Sequence, residues 1–207
     1  TVTVAPPGVT PDAVTTSTEA LAQYVRKIRP KALVQCIPDS VYLPEAIPVK
    51  TEHSDKINTV AWYGYSQNSH YLAHAYDELI SRELNLVVIS DSEVVPPMAY
   101  RGRLNIHNIP YTYSTYNKEL VTRDVLLMPD PSGDERSKYK SNNKTLQAWA
   151  LGVPVISVPK DFDRLAKKEA RAVEAQLRRK EVEEKWSVES SVKEYKQLIE
   201  EIKTRKA

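Results

Sequence analysis

An α/β fold built on a parallel sheet is the class that this 207-residue sequence predicts, and three observations predict it. Short apolar runs alternate with polar, helix-forming stretches from Lys56 to Val158, the order expected of strands joined by right-handed crossovers. Two of those runs, Val125 to Met128 and Val153 to Val158, are apolar without alternation, as strands covered on both faces are. Between them lie a polar loop, one amphipathic helix and a glycine, which together make a βαβ unit. The arrangement described is a Rossmann-like, doubly wound parallel sheet with flanking helices.

Taken in order, Thr1 to Thr10, with Pro6, Pro7 and Gly8, reads as an irregular lead-in. Thr16, Ser17 or Thr18 can cap a helix whose apolar face is Leu21, Tyr24, Val25 and Ile28, and Pro30 stops it before a strand that runs to Ile37. Pro38 to Asp55, with prolines at 38, 44 and 48, reads as an extended linker. Residues 1–48 are thus read as lead-in, helix-strand segment and linker, and residues 49–207 as the principal domain. Within that domain strands are expected at Ile57 to Tyr63, Leu86 to Ile89, Arg103 to Asn108 and Val125 to Met128, with helices at Asn68 to Arg82 and Ser114 to Val121. Asp161 to Lys185 carries Glu and Lys or Arg at three- and four-residue spacings and reads as one long solvated helix. Ser187 can cap a last helix with an apolar stripe of Val188, Val192, Tyr195, Leu198, Ile199 and Ile202, expected to cover the protein's own sheet or a second subunit.

Composition narrows the function classes. Twenty-nine basic residues against 27 acidic give a formal net charge of +2, which argues against a nucleic-acid partner, since such proteins present a basic surface and a reader element. No apolar run approaches the ~18 residues of a membrane span. No charged-then-apolar leader is visible, so a cytoplasmic location is expected. The lone cysteine, Cys36, lies in an apparent strand and reads as a buried structural thiol. His70 and His74 stand four apart without a third ligand at diagnostic spacing, so no metal is expected. A single glycine, Gly64, follows the strand ending at Tyr63, and the G-x-G-x-x-G fingerprint is missing, which argues against a dinucleotide cofactor.

The candidate site lies at the start of the helix that opens near Lys140 to Asn143 and stops at Gly152. Leu146, Trp149, Ala150 and Val153 share its apolar face, leaving Lys140, Ser141, Asn142, Asn143 and Lys144 at its mouth. Unpaired backbone N–H groups and the positive end of the helix dipole converge there with two lysines, a combination suited to phosphate. Gly64 lets the backbone of Gly64, Tyr65 and Ser66 approach the same ligand from the neighbouring strand. In a doubly wound sheet such ligands occupy the crevice outside the carboxyl ends of the strands.

The run Lys140-Ser-Asn-Asn-Lys-Thr-Leu-Gln-Ala-Trp-Ala-Leu-Gly-Val-Pro-Val-Ile-Ser157 resembles the signature of the C-terminal, nucleotide-sugar-binding domain of GT-B glycosyltransferases, above all the retaining family 4 group. Val60-Ala-Trp-Tyr-Gly-Tyr-Ser66 is similar to that domain's first strand and glycine turn, and Leu86-Val-Val-Ile-Ser-Asp91 to its second strand. Asp12 to Val25 and Ile37 to Val41 resemble the segment leaving an N-terminal domain, and Trp186 to Tyr195 the closing helix. The resemblance implies half of a GT-B architecture acting in glycosyl transfer for polysaccharide or glycoconjugate synthesis. It implies a nucleoside-diphosphate sugar as substrate and no resident cofactor. The acceptor would be held by a missing N-terminal domain or another subunit.

By the same resemblance Gln147 falls where the ribose is bound, and Ile109 to Thr112, with Tyr111, where the nucleobase lies, while Tyr113 and Tyr116 are expected in the core or on a helix surface. The chain departs from the family at Tyr139 and Gln147, which stand where two glutamates are usual, and at Gln67 to His70, where an arginine and a lysine are usual. The catalytic residues are accordingly left unassigned. Two other readings stay open: a non-catalytic binding or scaffold module of the same fold, and a nucleotide-sugar epimerase.

Overall fold

The computed structural model describes residues 11–129, 135 and 137–206; the expected lead-in Thr1 to Thr10 and loop residues 130–134 and 136 lie outside them. The chain runs β1 (Ala13–Thr16), α1 (Glu19–Ile28), β2 (Leu33–Cys36), β3 (Thr59–Tyr63), α2 (Tyr76–Ser81), β4 (Asn85–Ser90), β5 (Asn105–Pro110), α3 (Tyr116–Val121), β6 (Val125–Leu127), α4 (Asn143–Ala150), β7 (Val155–Ile156), α5 (Lys160–Arg164), α6 (Lys168–Lys185) and α7 (Val188–Lys206). Strands β3 to β7 form one sheet in the order β5-β4-β3-β6-β7, every pair parallel. The order reverses direction at β3, so the crevice between β3 and β6 is the topological switch point of a Rossmann-like α/β sheet.

Alternate residues of the central strands feed two cores, because side chains in a strand point to opposite faces. Val60, Trp62, Leu86, Val88, Val125 and Leu127 pack with Leu72 and Leu79 on one side and Phe162 and Leu165 beside them. Ala61, Tyr63, Val87, Ile89 and Leu126 pack with Leu120, Leu146, Ala150 and Val182 on the other. Both faces are covered, which is why these strands read as unbroken apolar runs.

β1 and β2 form a separate two-stranded parallel sheet, with Ala22 and Val25 of α1 packed on Val34. Thr18 caps α1 by accepting the Leu21 N–H at 3.2 Å. The linker is bound along the larger unit on both sides of the division expected at residue 48. Val41 N–H donates to Trp186 O at 2.8 Å, Val188 N–H to Val41 O at 3.1 Å, and Lys50 N–H to Leu151 O at 2.8 Å.

The end of α4 is a full Schellman closure: Val153 N–H donates to Ala148 O and Gly152 N–H to Trp149 O, with Gly152 at φ +73°. A Cβ at Gly152 would also meet Lys50 O at 2.7 Å, so glycine is required twice over. This closure takes up Val153, and the strand expected over Val153 to Val158 is only Val155–Ile156.

Four further expectations need correction. The helix expected over Asn68 to Arg82 is a 3-10 stretch, Ser66–His74, followed by the short α2. Only Leu72 is buried in that stretch, so no apolar stripe of period 3.6 holds an α-helix against the sheet. The long helix expected over Asp161 to Lys185 breaks into α5 and α6. The fully buried Arg171 guanidinium takes Leu165 O and Ala166 O at 2.6 and 2.7 Å, and these carbonyls would otherwise carry the helix forward. Ser187 caps α7 as expected, accepting Ser190 N–H at 3.3 Å, but of the expected stripe Leu198 is buried while Val192, Tyr195 and Ile199 are exposed. Cys36 is half-buried beside the α1 core rather than sealed within it, and burial, with Glu19 nearby, raises its thiol pKa.

Candidate functional site

At the carboxyl ends of β3 and β6 lies a cleft of about 850 Å³. Tyr65 from the turn after β3, Met128 and Pro129 after β6, and the run from Ser137 to Thr145 that enters α4 form one side. Ser17 and Leu21 of the small unit, with Asp39 just past β2, form the other. The rings of Tyr24 on α1 and Tyr139 stand edge to face at 6.3 Å, fastening the small unit to the rim of the cleft. Tyr139, which replaces a carboxylate in the resemblance, therefore acts here as a packing residue.

Lys140, Ser141, Asn142, Asn143 and Lys144 all line this cleft, as their spacing predicted. Asn142 occupies the N-cap position of α4, yet its side chain does not cap, so among the described residues no capping side chain takes up the first-turn amides. Lys144 is the centre of the arrangement. Its ammonium donates to Tyr63 O at 2.8 Å and lies 5.5 and 5.3 Å from the ring centres of Trp62 and Tyr63. No carboxylate pairs with it among the described residues. Burial, and then the charge of Lys140, lower its pKa. Lys140 is exposed, donates to Tyr71 Oη at 3.1 Å and stacks over that ring at 4.6 Å.

Gly64 meets this lysine directly: a Cβ there would collide with the Lys144 ammonium and come within 3.2 Å of the Trp62 ring. The glycine is needed for that approach. The amides of the turn are less available than the sequence suggests. Gly64 N–H donates to Ile89 O at 3.1 Å, and Ser66 N–H to Asp91 Oδ1 at 2.6 Å. Ser92 Oγ donates to Ser66 Oγ at 2.7 Å. The Ser66 amide bond holds the Asp91 carboxyl below its usual range. Expected as a phosphate donor, Ser66 is instead occupied by an internal carboxylate, a partner 25 residues away that local spacing does not reveal.

Three other expected site residues lie outside the cleft. Gln147 faces α3 and donates from Nε2 to Asn117 Oδ1 at 3.0 Å. Ile109 lines a separate recess of about 450 Å³ with Asp91 and Asn108 at the ends of β4 and β5. Tyr111 stacks on Tyr116 at 5.3 Å, which also meets Tyr113 at 6.2 Å and Tyr63 at 5.7 Å. Burial, then the neighbouring Tyr111 and Tyr113, push the Tyr116 hydroxyl up to about 12, so it stays protonated at neutral pH. His70 turns back on its own backbone, with Nδ1 2.9 Å from Gln67 O.

The residues that sequence reasoning missed are Asp39, Ser17, Tyr71 and Asp91. Each comes to the site from a part of the chain distant from α4; only Pro38-Asp39-Ser40 carried a local hint. Among the described residues no helix is long and apolar enough to cross a membrane. No protein-family model matches the chain, and no curated protein matches it.

Proposed function

We propose that the chain binds a nucleoside-diphosphate sugar, its diphosphate lying between the Gly64 turn and the start of α4, as the donor-binding part of a glycosyltransferase. One observation carries the reading: Lys144 is a cation placed where three effects oppose it. It is largely buried, it sits in the first turn of a helix where the dipole is already positive, and it faces a second lysine with no carboxylate partner among the described residues. A dianion supplies what all three lack, and the open amides of α4 supply hydrogen bonds to it. The sequence resemblance supports the same ligand. In such a transfer these groups stabilise the departing diphosphate and provide no covalent nucleophile.

The non-catalytic reading has its own support in Gln147, which is engaged by Asn117, and in Asp91, which occupies the Ser66 amide. Titration calorimetry with UDP, GDP, dTDP and ADP tests the shared claim, and at least one is expected to bind. Absence of heat or thermal shift with all four at millimolar concentration removes it. Sugar transfer by the purified chain would exclude the non-catalytic reading. None is expected from the 207 residues alone, because positioning two reactants between two walls supplies about 7 to 11 kcal/mol of such a barrier.

A further inference from the structure

We infer that Asp39 binds hydroxyl groups of the ligand anchored by the lysines, and is therefore the residue by which the cleft distinguishes a nucleoside-diphosphate sugar from a bare nucleoside diphosphate. The inference rests on the ligand class proposed above and adds to it a position for the glycosyl group. The two parallel sheets present their carboxyl ends to one cleft: Ser17 and Asp39 follow β1 and β2, while Tyr65 and Met128 follow β3 and β6. The cationic groups are on the larger sheet's side and the acidic group on the other.

Asp39 is half-buried at this wall, and no described residue gives it a hydrogen bond or an ion pair. It shares the cleft with Lys140 and Lys144 yet pairs with neither, their ammonium groups being directed to Tyr71 and to the Tyr63 carbonyl. An ionised carboxylate only accepts hydrogen bonds, so a ligand group that meets it there is a donor. Phosphate is excluded by charge. A neutral group rich in hydroxyls, attached to the anion that the lysines hold, meets both walls at once, and the glycosyl group of a sugar nucleotide is such a group.

The test is titration of the full chain with UDP, GDP, UDP-glucose and GDP-mannose, for the native protein and for Asp39→Asn and Asp39→Ala. A hydrogen bond to a charged group is worth about tenfold or more in affinity. The sugar conjugates bound by the native protein are expected to weaken by about that factor in both variants, while the bare diphosphates bind unchanged or slightly tighter. Thermal melting is expected to be unaltered, since no described residue pairs with the side chain. Equal weakening of conjugate and diphosphate overturns the assignment, as does no change in either, and both results leave the diphosphate site standing. If the native protein binds none of these four probes and neither dTDP nor ADP, the ligand class fails and this inference falls with it.

Discussion

Two buried cations, one at each end of the central sheet, are treated in opposite ways. At the amino ends of the strands Arg171 is fully buried, but its guanidinium donates to three carbonyls, those of Leu165, Ala166 and Ser54, and the charge of Asp124 lies close by. Asp124 in turn accepts from Ser54 Oγ, the amides of Asn58 and Thr59 at 2.8 Å each, and Thr59 Oγ1 at 3.1 Å. Burial pushes the Asp124 carboxyl up, and these hydrogen bonds more than reverse it. At the carboxyl ends Lys144 has, among the described residues, one carbonyl, two aromatic faces and no anion. The first cation spends its terminal donors on internal carbonyls, Nε alone lacking a partner among the described residues, and holds the fold together. The second is left incomplete at an open cleft, which is how a binding site differs physically from a structural network.

That contrast breaks most visibly at Arg171. Arg171→Ala leaves three carbonyls and the Asp124 charge without their buried partner, and a loss of about 3–5 kcal/mol in unfolding free energy is expected from urea titration. Diphosphate affinity of the remaining folded protein is expected to be unchanged.

The same amino-end network predicts acid sensitivity. His53 is buried with Nδ1 unpartnered among the described residues, and its pKa falls to about 4, chiefly by burial and then by the charges of Lys50, Arg171 and Lys168, with Asp124 opposing. The folded chain therefore keeps His53 neutral while the unfolded chain takes up a proton below its ordinary value. Stability is complete above about pH 6.5 and is lost as pH falls toward about 4, by about 3 kcal/mol in all. Denaturant titrations between those limits are expected to show this slope, and His53→Gln is expected to flatten it. An unchanged slope would remove His53 from the network.

At the carboxyl ends the effects move from stability to binding. Lys144→Ala is expected to weaken diphosphate binding by about 1.5 to 3 kcal/mol, with nucleoside affinity and melting temperature little changed, because the fold loses a disfavoured charge. Lys140→Ala should follow with a smaller loss, since that ammonium is exposed. A drop in stability as large as that at Arg171 would show Lys144 to be structural after all. The smallest effect is expected at Asp91. Asp91→Ala frees the Ser66 amide and removes a negative charge from the turn, so diphosphate binding should tighten by a few fold in calorimetry. Unaltered affinity would mean that the turn takes no part and that α4 alone holds the anion.

The sequence by itself determined the α/β class, the run of parallel strands, the stop of α4 at Gly152, the caps of α1 and α7, and the gathering of Lys140 to Lys144 at one helix start. These are properties of local chain: periodicity, capping side chains, and a glycine where φ is positive all act within a few residues. Tertiary structure alone decided the rest. Arg171 broke a helix that charge spacing had made continuous, because carbonyls drawn to a buried guanidinium no longer serve the backbone. Asp91 closed the Ser66 amide, Asn117 drew Gln147 away from the cleft, and Asp39 came to face the lysines from a second sheet. The last three bring together residues from 25 to about 100 positions apart, and which of them forms depends on strand order and on which groups desolvation leaves without water, quantities that no local pattern encodes.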